Sequence, residues 1–111
     1  MSIVTSAGAL STATATGRVA VLFHATACPF CRTFAPEFRR IVSEHNDVRE
    51  VEALMEFDDN PLWERFAIDV VPTVLFFEDG MLSSRLDGRI SVGLTPTDLS
   101  EALDAFARNP A

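Results

Sequence analysis

Apolar residues form two nearly unbroken runs along the chain, and these runs predict buried β-strands. Residues 19–23 (VAVLF) and 72–77 (PTVLFF) show no alternation with charged positions. Such runs are typical of strands that are covered on both faces. Residues 48–55 mix β-branched and charged positions and predict a further strand. After the turn at residues 78–80 (EDG), residues 81–86 predict an antiparallel edge strand.

Other segments repeat their apolar residues at helical spacing. Residues 28–46 predict a long amphipathic helix. Its polar side is expected to carry Arg32, Arg39, Arg40 and Glu44. Residues 95–98 (TPTD) combine a capping residue, a proline at the first helical position and an acid, so they predict the start of a helix that closes the chain. Shorter helices are expected at residues 61–67, capped by Asn60, and within residues 6–16.

The order of these elements predicts an α/β fold. Strands alternate with helices, and the chain closes on a β-hairpin and a helix, so we expect a central mixed β-sheet with helices on both faces. A length of 111 residues is that of one domain, which we place at residues 1–111.

Charge narrows the choice of partners. Nine basic residues, all of them arginine, face 16 acidic residues, which gives a formal charge of −7. A phosphate backbone would be repelled, so nucleic acid is not expected as a partner. The chain contains no stretch typical of a signal peptide or a membrane span. We therefore expect no membrane association and a cytoplasmic location.

The candidate chemistry lies in Cys28 and Cys31, the only two cysteines. A bridge that closes so short a loop removes little chain entropy, so these cysteines do not form a structural scaffold. A bare Cys-x-x-Cys leaves redox chemistry at about even odds against a metal-binding knuckle or two unrelated thiols. A structural zinc site needs four ligands, and only His24 and His45 remain as good candidates. Because His45 lies far along the helix, we expect no metal.

The two cysteines are predicted to have different roles. Cys28 falls where a buried strand passes into a helix, and the positive end of the helix dipole favours a thiolate there. Cys28 is therefore the expected nucleophile. Cys31 lies one turn into the helix, shielded from solvent, and is placed to attack a mixed disulfide on Cys28 as the resolving cysteine.

Several segments together resemble thioredoxins. Residues 21–31 (VLFHATACPFC), followed by Ala35-Pro36, resemble the active-site strand, redox loop and helix of that family. Residues 57–61 (FDDNP), 71–73 (VPT) and 77–80 (FEDG) follow in the family's order and at close to its spacing.

The resemblance covers about residues 18–107 and implies a thioredoxin fold. It also implies a thiol–disulfide oxidoreductase that acts on protein disulfides, with a thioredoxin-reductase-type partner as the electron donor. Such a protein needs no bound cofactor, and we expect it to be a monomer.

The resemblance further implies a substrate-binding surface around the cysteines. The Val71–Pro72 bond is expected to be cis and to lie against the redox loop, which leaves Val71 backbone groups free to pair with a peptide. Without the resemblance, Pro72 could simply begin a strand. Gly93 matches a glycine that lines the family's groove, or it is an ordinary loop glycine. Pro29 and Phe30 complete the expected surface.

The sequence also departs from the family's pattern. Thioredoxins usually have Trp before the first cysteine and Gly-Pro between the two, where this chain has Ala27 and Pro29-Phe30. The dipeptide is closer to the Pro-Tyr of glutaredoxins, but the chain lacks the later Gly-Gly pair, so glutathione binding is not expected. The family's buried acid is replaced by Leu22 and its lysine neighbour by Leu54. The usual base for the resolving cysteine is therefore missing.

His24 stands where thioredoxins usually have Trp, and Asp58 matches the acid that bonds to that Trp. We hypothesise that His24 and Asp58 form a pair that exchanges protons with the thiols. Alternatively, His24 only fills the space of the Trp and bonds Asp58 structurally.

A second interpretation of the chain is a thioredoxin-like binding or assembly module with weak or no redox turnover. The replacements at Leu22 and Ala27 favour this interpretation, whereas the presence of both cysteines and Pro72 opposes it. A metal or iron–sulfur scaffold shared across a dimer is a distant third.

Overall fold

The structure is a computed structural model and describes residues 2–57 and 59–108. The elements in chain order are β1 (Ser2–Val4), α1 (Ala7–Ala13), β2 (Arg18–His24), α2 (Pro29–Ser43), β3 (Val48–Leu54), α3 (Leu62–Arg65), β4 (Thr73–Glu78), β5 (Met81–Leu86) and α4 (Pro96–Arg108). No helix in this described part of the chain is long and apolar enough to cross a membrane.

The sheet has five strands in the order β1-β3-β2-β4-β5. Strand β2 pairs in parallel with β3, which in turn pairs in parallel with β1. Strands β4 and β5 run antiparallel to their neighbours. The predicted mixed sheet is confirmed. Strand β1 was not predicted, because three residues are too few to show a periodic pattern.

The two faces of the sheet carry separate hydrophobic clusters. Ala20 and Leu22 of β2 face α2 and α4. Val19, Val21 and Phe23 face the cluster to which α1 and α3 contribute. All five side chains have 0% exposed surface, which confirms a central strand buried on both faces.

Local capping explains where the later helices begin. The N–H of Asp98 donates to Oγ1 of Thr95 at 3.1 Å, and the N–H of Thr95 donates back to Oδ2 of Asp98 at 3.0 Å. This reciprocal capping box satisfies N–H groups that lack partners at the start of α4. Helix α3 begins one residue later than predicted: its N-cap is Pro61 and not Asn60, although Oδ1 of Asn60 accepts the N–H of Leu62 at 2.9 Å. Helix α2 ends at Ser43, three residues before the predicted end.

Candidate active site

Cys28 caps the N-terminus of α2. Its Sγ accepts the N–H of Cys31 at 3.2 Å, and its S–H donates to the carbonyl oxygen of Val71 at 3.6 Å. Pro29 follows at the first helical position, where its missing N–H costs no hydrogen bond. Cys28 is partly exposed, so an incoming disulfide can reach its sulfur.

Cys31 is fully buried behind Cys28, and both cysteines are free thiols. Burial, reinforced by a hydrogen bond with Cys28, raises the pKa of Cys31 to about 12. Near neutral pH this thiol is therefore protonated. Because the thiolate is the reactive form, Cys31 needs a proton acceptor before it can attack.

The loop before β4 brings Val71 and Pro72 to Cys28. The Val71–Pro72 bond is cis, as predicted. Gly88 packs against this segment so closely that a Cβ atom on it would clash with the carbonyl oxygen of Pro72. Thr73 links the two segments, since its hydroxyl donates to the carbonyl of Val70 at 2.6 Å and accepts the N–H of Gly88 at 3.1 Å.

Gly93 and Phe30 also meet at the site. Gly93 has a positive φ of 75°, and a Cβ atom on it would lie only 3.0 Å from Cβ of Phe30. The Phe30 side chain remains 43% exposed beside Cys28, and Pro29 is exposed as well. Ile90 and Val92, which precede Gly93 in the same loop, are also exposed apolar residues.

Glu52 is a buried acid that the sequence analysis did not identify as part of the site. It lies on β3 in register with Leu22 and has 0% exposed surface. Arg39 donates two hydrogen bonds to its carboxylate, at 2.8 and 2.9 Å. The placement of Arg39 on the solvent side of α2 was therefore wrong: its guanidinium turns toward the sheet to meet this charge.

The charge of Glu52 is stabilised despite its burial. Burial alone raises the pKa of Glu52, but the hydrogen bonds and charge of Arg39, helped by His24, outweigh it and leave the pKa below its ordinary value. Glu52 is therefore ionised near neutral pH. The signal in the sequence was weak: Glu52 is one of two acids in the strand, and it differs from Glu50 only in lying between the apolar residues Val51 and Ala53.

His24, at the end of β2, faces this carboxylate. Its Nε2 lies 3.1 Å from Oε1 of Glu52, within ion-pair distance. Nε2 is buried and has no other hydrogen-bonding partner among the described residues. The pKa of His24 is lowered, and burial is the largest cause. The nearby carboxylate of Glu52 raises this pKa, whereas the charge of Arg39 lowers it further. Asp58, the predicted partner of His24, lies outside the described residues.

A cleft of about 290 Å³ connects this group with the buried thiol. His24, Cys31 and Arg39 all line it, together with Ala25, Thr26, Arg32, Ala35 and Pro36. The volume is large enough for several water molecules, each of which occupies about 30 Å³ in the liquid. In residues 2–57 and 59–108, no three His, Cys, Asp or Glu side chains are grouped so that they could hold a metal ion.

A thiol open to solvent at a helix N-terminus, backed by a second thiol one turn further on, is suited to two-step disulfide exchange. The fold and the site together define a thiol–disulfide oxidoreductase. The comparisons with known proteins make this class more specific. The profile of the family described as Thioredoxin matches residues 7–102, and the chain belongs to the thioredoxin family.

One curated relative agrees with this assignment in sequence, and two solved structures share the fold. A thioredoxin of Mycolicibacterium smegmatis is 33% identical over 87 residues, which cover 77% of this chain and 78% of the relative. The mitochondrial thioredoxin 3 of Saccharomyces cerevisiae, in its oxidized form, superimposes with a TM-score of 0.77 at 20% identity, covering 95% of this chain and 94% of that one. For a thioredoxin of Plasmodium falciparum the TM-score is 0.79 at 19% identity, with 96% and 99% covered.

Proposed function

We propose that this protein reduces or exchanges disulfides in other proteins, with Cys28 as the nucleophile and Cys31 as the resolving thiol. The observation that carries the proposal is the contrast between the two sulfurs. Cys28 is partly exposed and caps α2, whereas Cys31 is fully buried one turn behind it. Only the first sulfur is open to a macromolecular substrate.

The exchange proceeds in two steps that balance without a bound cofactor. The Cys28 thiolate attacks one sulfur of a substrate disulfide, and the other substrate sulfur leaves as a thiolate that takes a proton from water. Cys31 then loses its proton and attacks Cys28, which forms the Cys28–Cys31 disulfide and releases the second substrate thiol. Two electrons pass from the pair to the substrate.

The surroundings of Cys28 support a protein substrate. The Val71 carbonyl lies beside the sulfur, and backbone groups at this position suit pairing with an extended peptide. The exposed faces of Phe30 and Pro29 add apolar contact area, and Gly93, which has no side chain, lets the Phe30 side chain lie against its backbone. An extended or unfolded segment around a cystine fits this surface better than a small thiol does.

The remaining parts of the proposal concern the cellular setting. The protein acts as a monomer in the cytoplasm, and a thioredoxin-reductase-type enzyme restores its dithiol. The Pro29-Phe30 dipeptide supports a potential of roughly −200 to −230 mV, less reducing than the roughly −270 mV of thioredoxin. Neither nucleic acid nor a membrane takes part.

The first test is insulin reduction with dithiothreitol, combined with titration of the pair against glutathione buffers. We expect turnover and one reversible two-electron transition between about −290 and −150 mV. In a second reaction, with the proteins pre-reduced and dithiothreitol removed, the Cys31→Ser variant should accumulate a mixed disulfide with insulin, whereas the matched Cys28→Ser variant should accumulate none. Thiols that stay reduced throughout, without turnover, would instead support a binding or assembly module, which the apolar Leu22 and Ala27 favour.

A further inference from the structure

The resolving step needs a proton acceptor. The two positions at which thioredoxins carry an acid and a lysine do not supply one in this chain. Cys31 is buried as a protonated thiol. Leu22 and Leu54 stand where the resemblance placed an acid and a lysine. The nearest buried carboxylate is that of Glu52, which is in register with Leu22 on the neighbouring strand. The buried negative charge beside the site is therefore supplied by β3 and not by β2.

The geometry connects Glu52 to Cys31 through His24. The carboxylate is fixed by two hydrogen bonds from Arg39, so its position does not depend on His24. Its Oε1 faces Nε2 of His24 at 3.1 Å. A carboxylate in this position favours the tautomer with its proton on Nε2, which leaves the other ring nitrogen, Nδ1, with a free lone pair. His24 also borders the cleft that reaches Cys31.

We propose that His24 accepts the proton of Cys31 through water in this cleft during the resolving step, and that Glu52, held by Arg39, is the positioning residue for His24. This proposal rests on the exchange function proposed above. The Cys31 proton passes to water and on to His24 as the Cys31 sulfur bonds to Cys28. The Cys28–substrate bond breaks, the substrate thiolate leaves, and His24 then returns its proton to solvent.

Charged groups on three sides set the pH at which His24 can act. Glu52 on β3 and Glu56 after it favour the protonated ring, whereas Arg39 on α2 disfavours it. Arg32 lines the cleft and is exposed, and Cys31 is uncharged. Because burial has the largest effect, the pKa of His24 lies below 6.5 and the ring is neutral at pH 7. A neutral ring is the form that can accept a proton.

The test separates the two steps of exchange with an aromatic disulfide, 5,5′-dithiobis(2-nitrobenzoate). Attack by the reduced protein's Cys28 releases one coloured thiolate, and attack by Cys31 on the resulting mixed disulfide releases the second. Stopped-flow absorbance therefore shows two phases. The leaving thiolate needs no proton, so the pH dependence of the second phase reports the attacking thiol. The Cys31→Ser variant, which lacks that phase, identifies it.

In the unaltered protein, we expect the second phase to be level above the pKa of His24 and to slow as the ring is protonated below it. The His24→Phe variant should resolve about 10²-fold or more slowly at pH 7. Its rate should then rise about tenfold per pH unit, since only the thiolate fraction of Cys31 reacts. The first phase should remain similar, which also shows that the variant is folded.

The Glu52→Gln variant tests the positioning residue. Loss of its charge lowers the pKa of His24, so the break in the second-phase profile should move to lower pH while the plateau rate falls. Glu101→Gln is the matched control: it removes one acidic charge at an exposed position on α4, and Glu101 is not among the charged groups that act on His24. Asp58→Asn tests the other acid that the sequence suggested.

The outcomes are distinguishable. Absence of the first phase in the unaltered protein overturns the exchange function itself. A normal first phase with a second-phase profile unaffected by His24→Phe overturns the role of His24. If only Asp58→Asn moves the break, the role of Glu52 is overturned. NMR titration of His24 in the unaltered protein provides a check that does not depend on a variant, since its midpoint must coincide with the kinetic break.

Discussion

Three residues on three different elements form the charged group beneath the active site. Glu52 of β3 is fully buried, and Arg39 of α2 and His24 of β2 are its contacts. Removing one partner of a buried ion pair leaves the other charge uncompensated, at a cost of about 3–5 kcal/mol. Because Arg39 is 40% exposed, solvent reduces that figure here. Loss of Arg39 is therefore expected to cost less than this range.

Titration of His24 and Glu52 makes the protein less stable in acid. The folded-state pKa of His24 lies below 6.5, so below that pH the unfolded chain takes up the proton first and the free energy of unfolding falls. Glu52 acts in the same direction: its stabilising effect is complete above its ordinary pKa of 4.5 and is lost as the pH falls through its lower folded-state pKa. Urea unfolding between pH 8 and pH 3 measures both effects.

The His24→Phe variant should lose the upper part of this acid dependence and keep the part below pH 4.5. His45→Gln is the comparison variant, because it removes the other histidine, which is partly buried and lies 3.8 Å from Asp104. A loss of the upper part that is confined to His24→Phe assigns it to His24. If the free energy of unfolding of His24→Phe keeps the upper part of the acid dependence, His24 binds protons equally in the folded and unfolded chain.

Among the elements, α4 depends most clearly on its first turn. The reciprocal hydrogen bonds of Thr95 and Asp98 satisfy two donors at its start, and Arg89 adds a contact to the same carboxylate at 2.8 Å. Farther along, Leu99 and Leu103 are fully buried against the sheet. The first turn thus fixes the start of the helix that contributes Leu99 and Leu103 to one of the two hydrophobic clusters.

Thr95→Ala should lower the free energy of unfolding by about 1 kcal/mol, because Asp98 loses the hydroxyl that accepts its N–H. Thr97→Ala, an exposed change two residues later, should cost clearly less. Chemical unfolding followed by circular dichroism compares the two variants, and an equal loss in both would mean that helix propensity rather than the cap is responsible.

Features that depend on neighbouring residues were predictable from the sequence. Three features can each be recognised from a few consecutive residues: the apolar run in β2, the Thr95–Asp98 cap and the Cys28–Cys31 pair. The cis bond before Pro72 was predicted too, but only through the family resemblance.

Features that depend on distant pairing were not predictable in the same way. Strand β1 exists because its three residues pair with residues 51–53 of β3. Glu52 is charged while buried because Arg39, on another element, turns toward it. The sequence offers the acid and the arginine, but only the packing of α2 on β3 brings them together.

At the scale of the whole molecule, one strand joins two hydrophobic layers. The central β2 contributes side chains to the clusters on both faces of the sheet. Trp63, the only tryptophan, packs against the α1–α3 layer, whereas Cys31 lies on α2 in the opposite layer. Each layer therefore contains its own natural probe of unfolding.

We expect both layers to unfold together, as in most small single domains. In the Cys28→Ser background, the denaturant midpoints from Trp63 fluorescence and from alkylation of Cys31 should coincide. Leu103→Ala, on the α4 side, should lower both midpoints equally, with a loss of about 2–5 kcal/mol. Leu10→Ala is the matched change on the other face. Midpoints that separate would show that the layers unfold independently.

The close approach of Gly93 to Phe30 has a consequence for how this active site can evolve. Any side chain at position 93 would need the space now filled by the start of the Phe30 side chain, and φ at position 93 already favours glycine. A side chain at position 93 is therefore excluded as long as position 30 carries a Cβ atom, whichever residue position 30 holds. Across related sequences that share this loop, glycine should be kept at position 93 while position 30 varies among residues larger than glycine.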